Sequence, residues 1–331
     1  MEPGTRNAAD LMRSVLIGAM LVILAGCASA PPPDVIRFGI LATTDQLPAW
    51  VMQAEGIAAR HGLVLEESPP YAGGLALLEA MAADEIDAGY PGIVPAMALA
   101  ARGQIPSDVR IVGLTNLATP AARSAALVVR EDVATWSDLA GRRVGIHSTT
   151  SINAASFTAR AAVEGLTDYE FVTIGFVDMG LAVRDGTVAA AVMEEPWTTQ
   201  SVLRGDGRIL AFTQGEPPLE SMLLSVIAVR AEVAADDALL RRFLRAHLEA
   251  VQFIADEPRR ARDLMASKLA IGAEVAQQLR LKAFPLDARL DMGDVQALQE
   301  LLAASGVEVP LVDPLTFYSP GALEAVLSEG T

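Results

Sequence analysis

The stretch 145-GIHSTTSINAASF-157 joins a strand-like apolar run to a helix-like run through four consecutive hydroxyl side chains, Ser148, Thr149, Thr150 and Ser151. A strand that passes through a short polar junction into a helix is the repeating unit of an α/β protein. The unit recurs on both sides. Upstream, 35-VIRFGILA-42, 63-LVLEES-68, 86-IDAGYPG-92 and 109-VRIVGLTN-116 read as strands. Between them lie 49-AWVMQAEGIAARHG-62, read as one helix ended by Gly62, then 73-GGLALLEAMAADE-85 and 93-IVPAMALAARG-103. Trp50, Val51, Ala54 and Ile57 have core-facing helical spacing in the first of these. Downstream, strands 169–176, 189–197 and 208–213 alternate with helices over 178–188 and 199–207. Consecutive crossovers of this kind predict mostly parallel sheets.

One echo bears on domain organisation. 127-LVVREDVATWSDL-139 and 226-VIAVRAEVAADDALL-240 both run strand, Arg, acidic residue, Val, short loop, helix. They are read as the places where the chain crosses into a second lobe and returns. The expected division is residues 35–124 plus 224–331 in one lobe and 125–223 in the other.

Residues before this body read as an export signal. Met12-Arg13 precedes a short apolar run, too short for a comfortable membrane span, followed by Leu24-Ala25-Gly26-Cys27. That tetrapeptide resembles the bacterial lipoprotein box, which implies a signal peptide over 1–26 and a lipid-bearing Cys27. Residues 27–34, with three consecutive prolines, read as an extended tether. The expected location is the cell envelope, outside the cytoplasm, held to the membrane by lipid alone.

The chain of 331 residues carries a formal net charge of −16, which repels nucleic acid and anionic membrane surfaces. Of its 25 basic residues only Lys268 and Lys282 are lysines. Cys27 is the sole cysteine, so no intramolecular disulfide and no cysteine-based metal site is available. There is no G-x-S-x-G nucleophile elbow, no phosphate-binding G-x-x-x-x-G-K-[ST] loop and no H-E-x-x-H pair. The three histidines are His61, His147 and His247, and His147 is too close to Ser148 in sequence to act as its base. No catalytic residue, metal or cofactor is expected.

An ordered series of modest motifs carries a family resemblance from about Val35 to Pro258. It comprises Pro48, 54-AEGIAARHGLVL-65, Gly73-Gly74 opening a helix, 85-EIDAGY-90, 137-SDLAGRRVGI-146, the hydroxyl junction, 186-GTVAAAVMEEPW-197 and Glu257-Pro258. In this order they resemble the periplasmic solute-binding proteins of ABC importers, in the group of nitrate-, sulfonate-, taurine- and thiamine-pyrimidine-binding proteins. Asp84 and Ala189 depart from residues usual there, Gly and Asp. The resemblance implies a periplasmic-binding-protein type II-like fold, two α/β lobes with a hinge and a ligand cleft between them. It implies a monomer that delivers a small solute to a membrane permease and its ATPase subunit. An enzyme of thiamine-type metabolism on the same fold and a ligand-sensing lipoprotein are the alternatives.

In such a fold ligands bind beyond the carboxyl ends of strands, at helix N-termini that suit anionic oxygens. The candidate ligand contacts are Thr43, Thr44 and Asp45 after the first strand, Gly73 and Gly74, Tyr90, Asn116, Ser148, Thr149, Thr150 and Ser151, Glu195 and Trp197. The hydroxyl cluster favours a small anion such as a sulfonate, nitrate or carboxylate. Tyr90 and Trp197 would stack a planar ligand, and Glu195 would accept from an amine-bearing ring.

Overall fold

The computed structural model describes residues 32–105, 107–307 and 311–330. The signal segment expected over 1–26 and the lipid attachment expected at Cys27 fall outside the described residues. Among the described residues, ten strands form two five-stranded sheets. The first sheet holds β1 (Asp34–Leu41), β2 (Leu63–Tyr71), β3 (Ala88–Gly89) and β4 (Val109–Ala118). The second holds β5 (Ser124–Val129), β6 (Arg142–Ile146), β7 (Tyr169–Thr173), β8 (Ala190–Met193) and β9 (Arg208–Gln214). β10 (Met222–Arg230) returns to the first sheet.

The orders are β2-β1-β3-β10-β4 and β7-β6-β8-β5-β9, the same plan twice. In each sheet one strand runs against its neighbours: β10 is antiparallel to β3 and β4, and β5 to β8 and β9. Each reversed strand follows the last strand of the other sheet in the chain. The sequence echo is therefore a structural equivalence, because β5 and β10 occupy the same fourth position. Both are buried along nearly their whole length, which explains their unbroken apolar runs.

The helices used below are α1 (Leu47–Ala54), α2 (Gly74–Ala82), α3 (Ile93–Ala101), α4 (Ile152–Val163), α5 (Trp197–Leu203), α6 (Asp237–Asp256) and α7 (Met292–Ala304). The single helix expected over 49–62 is broken. Gly56 takes φ 65° and separates α1 from a short turn of helix over Ile57–Arg60. Trp50, Val51 and Ile57 are buried as expected, but Ala54 at the break is exposed.

The second lobe has its own core around Phe157, Val144 and Val192. A further cluster crosses between the lobes: Ile152, Ala155 and Ala159 of α4 pack with Leu77 of α2, Met97 of α3 and Leu298 of α7. A strap over residues 279–290 runs along the first lobe, where Ala283 and Leu117 exchange two backbone hydrogen bonds of 3.0 and 3.1 Å.

Candidate functional site

The carboxyl ends of strands from both sheets converge on a buried polar centre between the lobes. β1 ends at Leu41, and the chain then turns through Thr43, Thr44, Asp45 and Gln46, all buried. β8 ends at Met193 and delivers Glu194 from the facing side. The strap supplies Lys282, whose Nζ donates to Asp45 Oδ1 and Oδ2, each at 2.9 Å, and to Glu194 Oε2. All three side chains are at most 6% exposed. Lysine suits this position because its ammonium is a compact charge with three donors, where a planar guanidinium would need more room.

Asp45 is the better supported carboxylate. It also accepts from Thr43 Oγ1 at 2.7 Å, Asn116 Nδ2 at 3.0 Å and Ser225 Oγ at 2.8 Å. Burial opposes its ionisation, yet the Lys282 ammonium and these donors hold its carboxyl below the usual range. Glu194 shares the same ammonium, but burial prevails there and its carboxyl is raised. Lys282 is opposed by burial and held charged by Asp45 and Glu194. Of the two carboxyls, Glu194 is therefore the one on which a negative charge is more costly.

A chamber of about 40 Å³ lies against this centre, lined by Asp45, Glu194, Lys282, His147 and Phe176 among others. It opens toward a vestibule of about 280 Å³ with which it shares Gly73, Gly74, Pro95, His147 and Ser151. A Cβ on Gly74 would stand 3.1 Å from the backbone nitrogen of Gly92, so a side chain there would press these loops apart by a few tenths of an ångström. His147 stacks on Phe176 with ring centroids 4.4 Å apart. Burial and the nearby Lys282 push its pKa down to about 4, so the ring is neutral at pH 7. Two larger depressions, about 540 and 520 Å³, lie on the second lobe. Most of their charged side chains are already paired, as in Arg184–Asp206 and Arg123–Glu216, and the interlobe cleft is the stronger candidate.

The expected contacts fall in several distinct places. Thr43, Asp45, Gly73, Gly74 and Ser151 line the chamber, and Ser148 and Thr150 line the vestibule. Asn116 stands behind Asp45. Thr44 is buried in the loop after β1, and Thr149 is exposed; neither lines chamber or vestibule. Glu195 and Trp197 hold the lobes together. Glu195 accepts from the Thr199 hydroxyl at 2.8 Å and from Arg280 N of the strap at 3.3 Å. Trp197 Nε1 donates to Ala42 O at 3.2 Å. Neither lines the chamber, so an accepting Glu195 and a stacking Trp197 are corrected to interlobe contacts.

Tyr90 is corrected as well. It is fully buried in the first lobe, edge-on to Phe38, with its hydroxyl 2.7 Å from His247 Nδ1. The hydroxyl junction is largely satisfied within itself. Ser151 Oγ accepts from Ala154 N at 3.2 Å as the cap of α4 and donates to Ser148 O at 2.6 Å, while Ser148 and Thr150 hydroxyls meet at 3.0 Å. Sequence reasoning missed Glu194, Lys282, Ser225 and Phe176, and gave His147 no role in the cleft. Lys282 carried a signal, as one of two lysines in a chain otherwise basic through arginine. Among the described residues no group of three or more His, Cys, Asp or Glu is placed to hold a metal ion.

Two sheets of equal plan meeting over a polar cleft define the two-lobed fold of the periplasmic binding proteins. The chain belongs to the NMT1-like family, whose model matches residues 29–270, more than half of its length. No curated protein matches the sequence. Among solved structures it is similar to the ligand-binding component of an ABC-type import system from Staphylococcus aureus, solved with zinc bound. That match has TM-score 0.76 and 14% identity and covers 88% of this chain and 99% of that one. It is also similar to SsuA, the periplasmic aliphatic sulphonate-binding protein from Escherichia coli (TM-score 0.69, 18% identity, 87% and 93% covered). A third is NrtA, the periplasmic nitrate-binding protein from Synechocystis PCC 6803 (TM-score 0.64, 15% identity, 91% and 86% covered).

Proposed function

We propose that the chain is the substrate-binding component of an ABC importer, which captures a small polar solute between its lobes and hands it unaltered to a membrane permease and its ATPase subunit. It works outside the cytoplasm as a monomer, held to a membrane by lipid on Cys27. The observation that carries this reading is the buried interlobe centre, in which Lys282 joins Asp45 of the first lobe to Glu194 of the second. Strand ends from both sheets meet there, so a solute seated in the cleft touches both lobes at once. Its affinity for the closed form then shifts the equilibrium toward closure. The hinge is assigned to the β4–β5 and β9–β10 connections, with residues 35–124 and 224–331 moving as one body and 125–223 as the other. Among the described residues no helix is long and apolar enough to cross a membrane, and the lipid at Cys27 would provide the attachment. Among the described residues of the cleft, His147 contacts Phe176, Ser151 is engaged as a helix cap, and the Thr43 and Ser225 hydroxyls support the Asp45 carboxylate that Lys282 neutralises.

The test is small-angle scattering and thermal unfolding of the full chain over a panel of small solutes. A binder is expected to raise the melting temperature and compact the protein. A proven binder that leaves the scattering profile unchanged would refute lobe closure, and turnover of a solute by the protein alone would refute the binding role.

A further inference from the structure

We infer that the solute held by this cleft is an organic monocation bearing N–H donors, seated against Glu194 beside the Lys282 ammonium. The inference rests on the binding reading above and adds the chemistry of the ligand. It starts from charge balance. The titratable side chains lining the chamber are Asp45, Glu194, Lys282 and His147. Two carboxyl groups face one ammonium and one neutral imidazole, so ionising both leaves the closed cleft one negative charge in excess, a cost that shows in the raised Glu194 carboxyl. A buried charge without a partner is costly, and a ligand of charge +1 removes that cost on closure.

An anion does the reverse. All three Lys282 donors are already directed at Asp45 and Glu194, so an incoming sulfonate or nitrate would have to displace Glu194 from Nζ. Two carboxylates and the anion would then share one ammonium in a closed space. At the N-terminus of α4, the other position suited to an anion, the Ser151 hydroxyl already takes Ala154 N. The chain itself demonstrates what the centre accepts, because the group lodged between Asp45 and Glu194 is the ammonium of Lys282.

Shape agrees with charge. The chamber admits a group of roughly two or three water molecules in size, such as an ammonium or amidinium head. The vestibule beyond His147 takes the remainder of the molecule. The stacked faces of His147 and Phe176 favour a planar or cationic group over an anionic one.

The experiment uses shape-matched probes of opposite charge, ethylammonium against ethanesulfonate and benzamidinium against benzenesulfonate, with nitrate and zinc added. Each is read by thermal shift and calorimetry on the full chain and on its Glu194→Gln variant. The cations are expected to raise the melting temperature and the anions to leave it unchanged. In Glu194→Gln the cations are expected to lose at least about 30-fold in affinity, while the variant stays folded. Lys282 keeps Asp45 in that variant, and the wild-type comparison of charge-matched probes stands without it. A sulfonate or nitrate that binds wild type and binds Glu194→Gln more tightly overturns the inference and leaves solute capture intact. Binding of zinc alone also overturns it. If no probe of either charge changes melting or scattering, the solute-binding reading itself fails.

Discussion

Two of the polar centres buried in this molecule differ in charge and in what surrounds them. Tyr90 and His247 pair inside the first lobe, both fully buried, with the phenol 2.7 Å from the imidazole. Burial pushes the His247 pKa down to about 3 and raises that of Tyr90, so both groups are neutral. Asp45, Lys282 and Glu194 are nearly as buried, but they are charged and belong to surfaces that face each other across the lobes. A neutral pair can be sealed permanently into a core. Charges are better kept where two halves can part and water can return. The contrast separates a polar centre sealed inside one lobe from one shared by two, without any reference to a ligand.

The contrast breaks most sharply at Lys282. Lys282→Met leaves Asp45 and Glu194 buried with no cation between them, a loss of about 3–5 kcal/mol. Calorimetric unfolding should show a melting temperature lower by on the order of 10 °C, with part of the loss recovered in the Lys282→Met, Glu194→Gln double variant. A single variant that melts within about 2 °C of wild type would mean that the centre is hydrated already, and that the charged and neutral centres do not differ as described.

Proton linkage sharpens the same comparison. His147 faces Lys282 and Asp45 across the chamber, and its pKa falls from 6.5 to about 4. A depressed histidine contributes stability that is complete above its unfolded pKa and is lost as pH falls through the folded value. Over that window the contribution is about 3 kcal/mol. Thermal unfolding between pH 7 and pH 4 should therefore fall less steeply for His147→Gln than for wild type. His247 continues the loss toward pH 3 in both proteins. Parallel profiles for the two would show that His147 is solvated in the folded protein.

A smaller effect is expected at the neutral centre. Tyr90→Phe removes the partner of His247 Nδ1 and should cost about 1–2 kcal/mol. Because the pair lies within one lobe, the variant should bind any solute found by the probe panel with unchanged affinity. A loss of affinity larger than about threefold in Tyr90→Phe would place this pair in the binding machinery.

The alternation of strands and helices was readable because fully buried strands such as 124–129 and 222–230 are apolar without interruption, and their helices end at glycines. The loops after β1, β2 and β6 were also readable as cleft-facing, since strand-to-helix junctions must lie at the carboxyl ends. Partners across the cleft were not. Lys282 reaches Asp45 from 237 residues away, on a strap with no periodicity, and nothing local to either residue records the other. Tyr90 misled for a related reason. A tyrosine after a short strand reads as exposed until His247, on the distant α6, turns out to satisfy its hydroxyl. Glu194 and Glu195 illustrate the limit most closely. They are adjacent and chemically alike, yet one faces the chamber and the other turns to Thr199 and Arg280.

The smallest expected effect concerns the junction that first identified the fold. Its four hydroxyls look equivalent in sequence, but only Ser151 is tied to the helix, accepting from Ala154 N while its own proton goes to Ser148 O. Ser151→Ala removes both bonds and should cost about 1 kcal/mol, the usual loss for a helix cap. Thr149 is exposed, and Thr149→Ala should stay within about 0.5 kcal/mol of wild type. Denaturant unfolding resolves the two outcomes. If Thr149→Ala is as damaging as Ser151→Ala, the junction is held by a network wider than its cap, and its hydroxyls could not be free to meet a solute from the vestibule. If Ser151→Ala alone is costly, Ser148 and Thr150 remain available at the vestibule wall, where they would contact the tail of a bound molecule.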